Sequence, residues 1–347
     1  MPDFSELPLW INLAIFAATG VVVWAAGTRL SRYAGELSSA TGLGDVTVGI
    51  VLLGVGTSLP EVAVSVTAAM RGAESLAVNN LLGGLAFQVT LLAVADAFIG
   101  RDALTSVNAR PSVILQGTLD CILLTVVAIA ITVGDVMMPG IGMGVWAFAL
   151  VPLYALSVLL LGHARGRKAW RPARMGKRER SGEDDASDAV RPVRSLLLPI
   201  GIAALFVLVA GYFATRTAEA IAEQTGLGLS FVGAVLVAAA TSLPELSAAI
   251  EAVRMGRVGL AFGDVFGTNL IDASLISVVD IASSGPPVLN EVGRFSMVAA
   301  LLGVVLTMIY IVGLVERRDR VALRMGWDSI AVLVCYFAGL VLLFQLR

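Results

Sequence analysis

The chain has 347 residues, 57% of them hydrophobic and only 14% charged, with a formal net charge of −2. Its mean hydropathy is +0.88. About a quarter of the residues of a soluble domain are charged, so a water-soluble fold is excluded and a polytopic all-α membrane protein is indicated. The apolar runs are continuous rather than alternating, which excludes a transmembrane β-barrel.

The first run, 8–27, lacks a basic leader region and a small-residue cleavage site ahead of a soluble domain, so it is expected to be retained as a helix. The second, 43–69, carries Gly56-Thr57-Ser58-Leu59-Pro60-Glu61 in its middle. The third, 74–99, holds Asn79-Asn80-Leu81-Leu82-Gly83-Gly84-Leu85-Ala86-Phe87-Gln88. Spans at 111–133 and 139–162 follow. Cys121 and Cys335 fall in mid-span and are expected to be small packing residues, not a disulfide. His163 ends the fifth span beside Arg165 and Arg167, as an interfacial residue would. A hydrophilic linker, 164–194, comes next. Its Glu183-Asp184-Asp185 lacks EF-hand spacing, and it is expected to be a solvated tether. Five further spans are expected at 195–215, 227–253, 258–283, 295–315 and 327–346. They contain Ala240-Thr241-Ser242-Leu243-Pro244-Glu245 and Gly263-Asp264-Val265-Phe266-Gly267-Thr268-Asn269-Leu270-Ile271-Asp272.

Glu61 and Glu245 are 184 positions apart, and the same offset carries Thr41-Gly42-Leu43-Gly44 onto Thr225-Gly226-Leu227-Gly228, Gly72 onto Gly256, Gly83 onto Gly267 and Asp96 onto Asp280. The chain is an internal duplication: a first repeat at 1–163, the linker, and a second at 195–347. Five spans is an odd number, so the second repeat enters the membrane in the opposite sense. Such inverted repeats place a transport site at their interface near the midplane. Of the 24 basic residues, all but Arg71, Arg216, Arg294 and Arg347 fall on one side if the linker is cytoplasmic. That bias predicts a cytoplasmic linker and external termini in the cell membrane.

Each motif has a chemical logic. Pro60 has no N–H, so the carbonyl of Gly56 loses its helical partner, and Pro244 frees that of Ala240. In lipid, such a carbonyl is tolerated where it lines a cavity or meets a ligand. Thr57 and Glu61 share a helix face at i, i+4, with Ser58 beside them, and Thr241, Ser242 and Glu245 repeat the set. Thr268 and Asp272 are again at i, i+4; their repeat-related positions are Gly84 and Gln88. Hard cations take oxygen ligands, six to eight for Ca²⁺. Glu61, Glu245 and Asp272, without an intramembrane Lys or Arg, must share protons or hold cations. One Ca²⁺ would leave a single negative charge on the three carboxylates and three Na⁺ would leave none. Asp264 fits an entrance or a structural role equally. Asp96, Asp280 and Asp120 are expected to be solvated caps or partners of interfacial Arg, and Gly83 and Gly267 to serve close helix packing.

At these residues the chain resembles the cation/Ca²⁺ exchanger superfamily, and within it the prokaryotic sodium/calcium exchangers, whose signature is G-T-S-L-P-E followed by G-N-x-x-G-S-N-[IL]-x-[ND]. The resemblance extends over the whole chain. It implies a Ca²⁺/Na⁺ antiporter in which spans 1 and 6 slide against an eight-helix core. It also implies ion ligation by Thr57, Ser58, Glu61, Thr241, Ser242, Glu245, Thr268 and Asp272, with main-chain carbonyls near Gly56 and Ala240; Gln88 is a neutral oxygen donor. Gly84, Leu85 and Gln88 depart from the pattern in repeat one and Asp264 in repeat two, which leaves Ca²⁺/H⁺ exchange as the alternative. An intramembrane hydrolase lacks a base for Ser58 or Ser242, and counterflow would separate an exchanger from a channel. No cofactor, nucleotide loop, nucleic-acid site or obligate protein partner is evident; Ca²⁺, Na⁺ and the bilayer are the expected partners.

Overall fold

A computed structural model describes residues 4–42, 45–99, 102–107, 111–163, 192–225, 238–317 and 321–346. The linker lies almost wholly outside these residues, as does the first half of the seventh expected span. The described chain is nearly all helix, as a polytopic chain in lipid must be to satisfy its backbone internally. The long elements are α1 (Leu9–Thr41), α2 (Asp45–Thr57), α3 (Leu59–Met70), α4 (Glu74–Asp96), α5 (Pro111–Val133), α6 (Val145–His163) and α7 (Val193–Thr225). Then come α8 (Ala238–Thr241), α9 (Leu243–Arg254), α10 (Val258–Ala282), α11 (Arg294–Glu316) and α12 (Trp327–Gln345). A two-residue hairpin, β1 (Val321–Ala322) with β2 (Met325–Gly326), precedes α12.

Eight of these helices are long and apolar enough to cross a membrane, and α2 with α3 forms a ninth span bent by 44°. The tenth is represented by α8 and α9, broken at Ser242. Together they form the ten-helix, five-plus-five inverted-repeat fold. The duplication is visible in the packing. α1 packs on α7, α4 on α10 and α5 on α11, each a helix against its own repeat-related partner. Other contacts come in exchanged pairs, among them α1 with α9 and α7 with α3, and α4 with α12 and α10 with α6. The turns are duplicated too. Gly72 and Gly256 take φ of 74° and 75°, and the N–H groups of Ala73 and Arg257 reach back to the carbonyls of Ala68 and Ala252, both at 2.9 Å. These are glycine-terminated helix ends of the Schellman kind.

α4 and α10 form the centre, with most of their residues buried. α1 and α7 pack chiefly on each other. Each runs 33 residues, about 50 Å at 1.5 Å per residue, well beyond the expected ends at 27 and 215. Gly27 of α1 and Gly211 of α7 are again 184 apart. A Cβ at Gly27 would stand 2.9 Å from the carbonyl oxygen of Pro244, and one at Gly211 would stand 2.6 Å from the ring of Pro60. Each of these two helices therefore rests a glycine on the proline of the other repeat's motif.

Candidate cation site

The site is built where the two bent spans meet α4 and α10. In repeat one the backbone widens into a π-turn at Gly49–Leu53, the helix ends at Thr57, and it restarts at Leu59. Ser58 at the break accepts from Val62 N–H at 3.0 Å, and Ser242 accepts from Leu246 N–H at 3.1 Å. Both restarting helices place proline in the first turn with the glutamate beside it. The partial positive charge of a helix N-terminus favours an anion there.

All the predicted side-chain donors of the two motifs are buried. Glu61 and Ser58 are 1% exposed; Thr57, Thr241, Ser242, Glu245, Gln88, Thr268 and Asp272 are 0%. Gly56 is buried in the last turn of α2, and Ala240 lies in α8. The arrangement crosses the repeats. Thr241 lies beside Glu61, and Thr57 beside Glu245. The charges of Glu245 and Asp272 act on Glu61, and those of Asp264 and Asp272 act on Glu245. On the repeat axis Gln88 Nε2 donates to Asp272 Oδ2 at 3.1 Å, a bond between two positions 184 apart, and Ser58 lies next to Asp272.

Many of these oxygens lack protein donors. Both carboxylate oxygens of Glu61 and of Glu245, one of Asp272, the amide oxygen of Gln88 and the hydroxyls of Ser58, Ser242 and Thr268 make no hydrogen bond of good geometry. Buried polar groups are normally satisfied, and each exception calls for a ligand, ion or water. Thr57 donates to the Leu53 carbonyl at 2.9 Å, which leaves its lone pairs outward. Among the described residues no three Asp, Glu, His or Cys side chains converge closely enough to share one ion. The donor set is therefore mixed, with carboxylates supplemented by hydroxyl, amide and main-chain oxygens.

Three expectations are corrected or resolved. Asp96 and Asp280 are buried, and among the described residues neither pairs with an arginine. Asp96 accepts from Leu104 N–H at 2.7 Å and Gly326 N–H at 2.6 Å; Asp280 accepts from Val288 N–H at 2.7 Å and Gly144 N–H at 2.6 Å. Each fastens its own loop and the entry to the fifth span of the other repeat. Asp120 is not at a span end in solvent but 1% exposed within α5. Asp264 is fully buried beside the candidate site, with its Oδ1 3.4 Å from Thr57 Oγ1. Gly267 does serve packing, since a Cβ there would meet the Ile50 Cα at 2.8 Å. The glycine pair Gly27 and Gly211 was missed, although the repeat offset could have found it.

The sequence profile of the family described as "Sodium/calcium exchanger protein" matches residues 11–162 and 195–345. The inner membrane protein YrbG of Escherichia coli (strain K12) is 28% identical over 259 residues, 74% of this chain and 74% of its own length. The sodium/calcium exchanger MaX1 of Methanosarcina acetivorans is 29% identical over 146 residues, 41% of this chain and 39% of its own. Among solved structures, that of the sodium-calcium exchanger NCX_Mj superposes with a TM-score of 0.68 at 18% identity, over 96% of this chain and 99% of its own. At that identity the likeness speaks for the fold.

Proposed function

Because this chain belongs to the sodium/calcium exchanger family, membrane transporters and not enzymes, we propose that it exchanges Ca²⁺ for Na⁺ across the cell membrane by alternating access. The observation that carries this reading is the pair of buried, donor-poor glutamates, each beside a threonine of the opposite repeat. One Ca²⁺ and two Na⁺ neutralise Glu61 and Glu245 equally. Both ions take oxygen ligands, so they compete for the same atoms and must be carried in turn. That exclusivity is what makes antiport rather than co-transport.

Ca²⁺ draws on Glu61 and Glu245, the carbonyls of Gly56 and Ala240, and the hydroxyls of Thr57 and Thr241. Na⁺ ions draw on the same glutamates with Ser58, Ser242, Thr268, Gln88 and Asp272. α1 and α7 are the moving pair. They pack on each other, and each meets the other repeat's proline through a glycine. The arginine bias supports a cytoplasmic linker and external termini.

A second reading, Ca²⁺/H⁺ exchange, rests on Gly84. Its repeat-related residue Thr268 offers a hydroxyl, whereas a Cβ at Gly84 would meet no atom within 4 Å. A Na⁺ half-site there has lost an oxygen. Vesicles holding the purified protein, loaded with Na⁺ and diluted into Na⁺-free buffer at equal pH, decide between the readings. Ca²⁺ uptake that needs internal Na⁺ supports the first. Uptake driven only by a pH gradient replaces it with the second.

A further inference from the structure

Beside the glutamate site lies a second set of buried polar groups that the exchange reading does not use. Asp120 of α5 is 1% exposed and neither carboxylate oxygen has a partner. Gln116, one turn earlier on the same face, donates its amide to the Gly263 carbonyl at 3.2 Å and leaves its own oxygen unpaired. Asn269 of α10 is 1% exposed with both amide atoms unpaired, and Thr307 of α11 is fully buried with its hydroxyl unpaired.

These residues face one interface. α5 packs against both α10 and α11, and at Gly117 a Cβ would meet the ring of Phe266 of α10 and the γ-methyl of Thr307 of α11, each at 3.3 Å. Asp120 is three residues beyond Gly117 and Asn269 three beyond Phe266, so both fall one turn along from that contact. On the side of the α5 N-terminus the interface is closed by aromatic rings: Phe262 stands 5.6 Å from Phe266 and 6.1 Å from Tyr310, centroid to centroid. On the other side lies Asp272, three residues beyond Asn269 on α10, whose charge acts on Asp120.

The duplication supplies an internal control. The positions 184 away from Gln116, Asp120, Asn269 and Thr307 are Ala300, Val304, Leu85 and Leu123. Every member of the polar set has an apolar counterpart, so the fold does not require polar residues in this interface. An unpaired acid within a span is costly to keep and is functional by default.

We propose that Asp120, with the oxygens of Gln116, Asn269 and Thr307, forms a second cation site that holds one Na⁺ alongside Asp272. One carboxylate and three neutral oxygens carry a single negative charge, which a monovalent ion cancels; a divalent ion would leave a positive charge in apolar surroundings. The coupling role of this Na⁺ rests on the exchange reading, but its binding does not.

Equilibrium binding of radioactive Na⁺ to the purified full-length protein in detergent tests this, with Asp120→Asn and Glu61→Gln run in parallel. Asp120→Asn is expected to bind one Na⁺ fewer at saturation and to keep the Ca²⁺ binding that Glu61→Gln loses. An unchanged Na⁺ count in Asp120→Asn overturns the proposal and leaves the exchange reading intact. Glu61→Gln that keeps Ca²⁺ binding overturns the exchange reading, while the Asp120 count still decides this one. If Asp120→Asn does not yield folded protein, Asn269→Leu and Thr307→Val carry the same count: loss of one Na⁺ supports the site and an unchanged count overturns it.

Discussion

The two halves of this protein agree in their backbone devices and disagree in their ligands. The proline break, the glycine-terminated turn, the glycine on the opposite proline and the loop-fastening aspartate recur at the same offset with nearly the same geometry. The polar side chains do not. Thr268, Asn269 and Asp272 of repeat two stand against Gly84, Leu85 and Gln88 of repeat one. A backbone device must work in each half, because each half bends its own span and turns its own loop. A ligand need be supplied only once to a site both halves share. At the axis divergence is enforced: Gln88 and Asp272 touch at 3.1 Å, and two carboxylates at that distance could not both ionise.

The comparison breaks first at the glutamates if it is wrong. Glu61→Gln and Glu245→Gln are expected to lower Ca²⁺ uptake equally, by at least ~100-fold, since even outer-shell changes at metal sites cost about 10–100-fold. Unequal losses in vesicle uptake would mean that the halves do not share one ion. Next come the diverged ligands. Thr268→Gly, which gives repeat two the residue of repeat one, should raise the Na⁺ concentration for half-maximal exchange about 10-fold, or ~1.4 kcal/mol. Gly84→Ser should lower it, because the added atoms enter open space.

A smaller effect reads the shared scaffold. Asp96→Asn and Asp280→Asn each leave one of two buried N–H groups short of an acceptor, at a cost of about 1–3 kcal/mol; thermal unfolding should show matched losses. The smallest concerns a feature without a counterpart. Arg32 Nε meets Glu251 Oε1 at 2.6 Å, with the arginine side chain 60% exposed. The residues 184 away from this pair are Arg216 and Thr67, which cannot form a salt bridge. Arg32→Gln should cost within about 1 kcal/mol, and less in high salt.

Most of the architecture was legible because hydropathy and the 184-residue offset are long-range signals. The buried motif residues were legible because an acid beside a proline in a span has few other uses. What escaped depended on what covers a residue. Asp96 and Asp280 sit at span ends in sequence, and only the returning loops bury them. α1 outran its expected end because 28–41 is amphipathic: Leu30 and Ala34 are buried while Arg29 and Arg32 are exposed. A hydropathy window stops at the first of those arginines. The fifth span starts late, at Val145, because the chain first makes a turn closed by the Met137 and Gly144 bridge.

The aspartate fasteners bear on how the chain is made. Asp96 takes one N–H from its own half, at Leu104, and the other from Gly326 in the second half; Asp280 likewise needs Gly144 from the first. While a ribosome has delivered only the first five spans, Asp96 waits in the bilayer with half of its donors. Gly144, at the mouth of the fifth span, waits for an acceptor still untranslated. Neither half can finish its own loops, so maturation is a joint event that follows synthesis of the last helix. Two fragments cut at the linker and expressed together should therefore each be short-lived alone and long-lived as a pair.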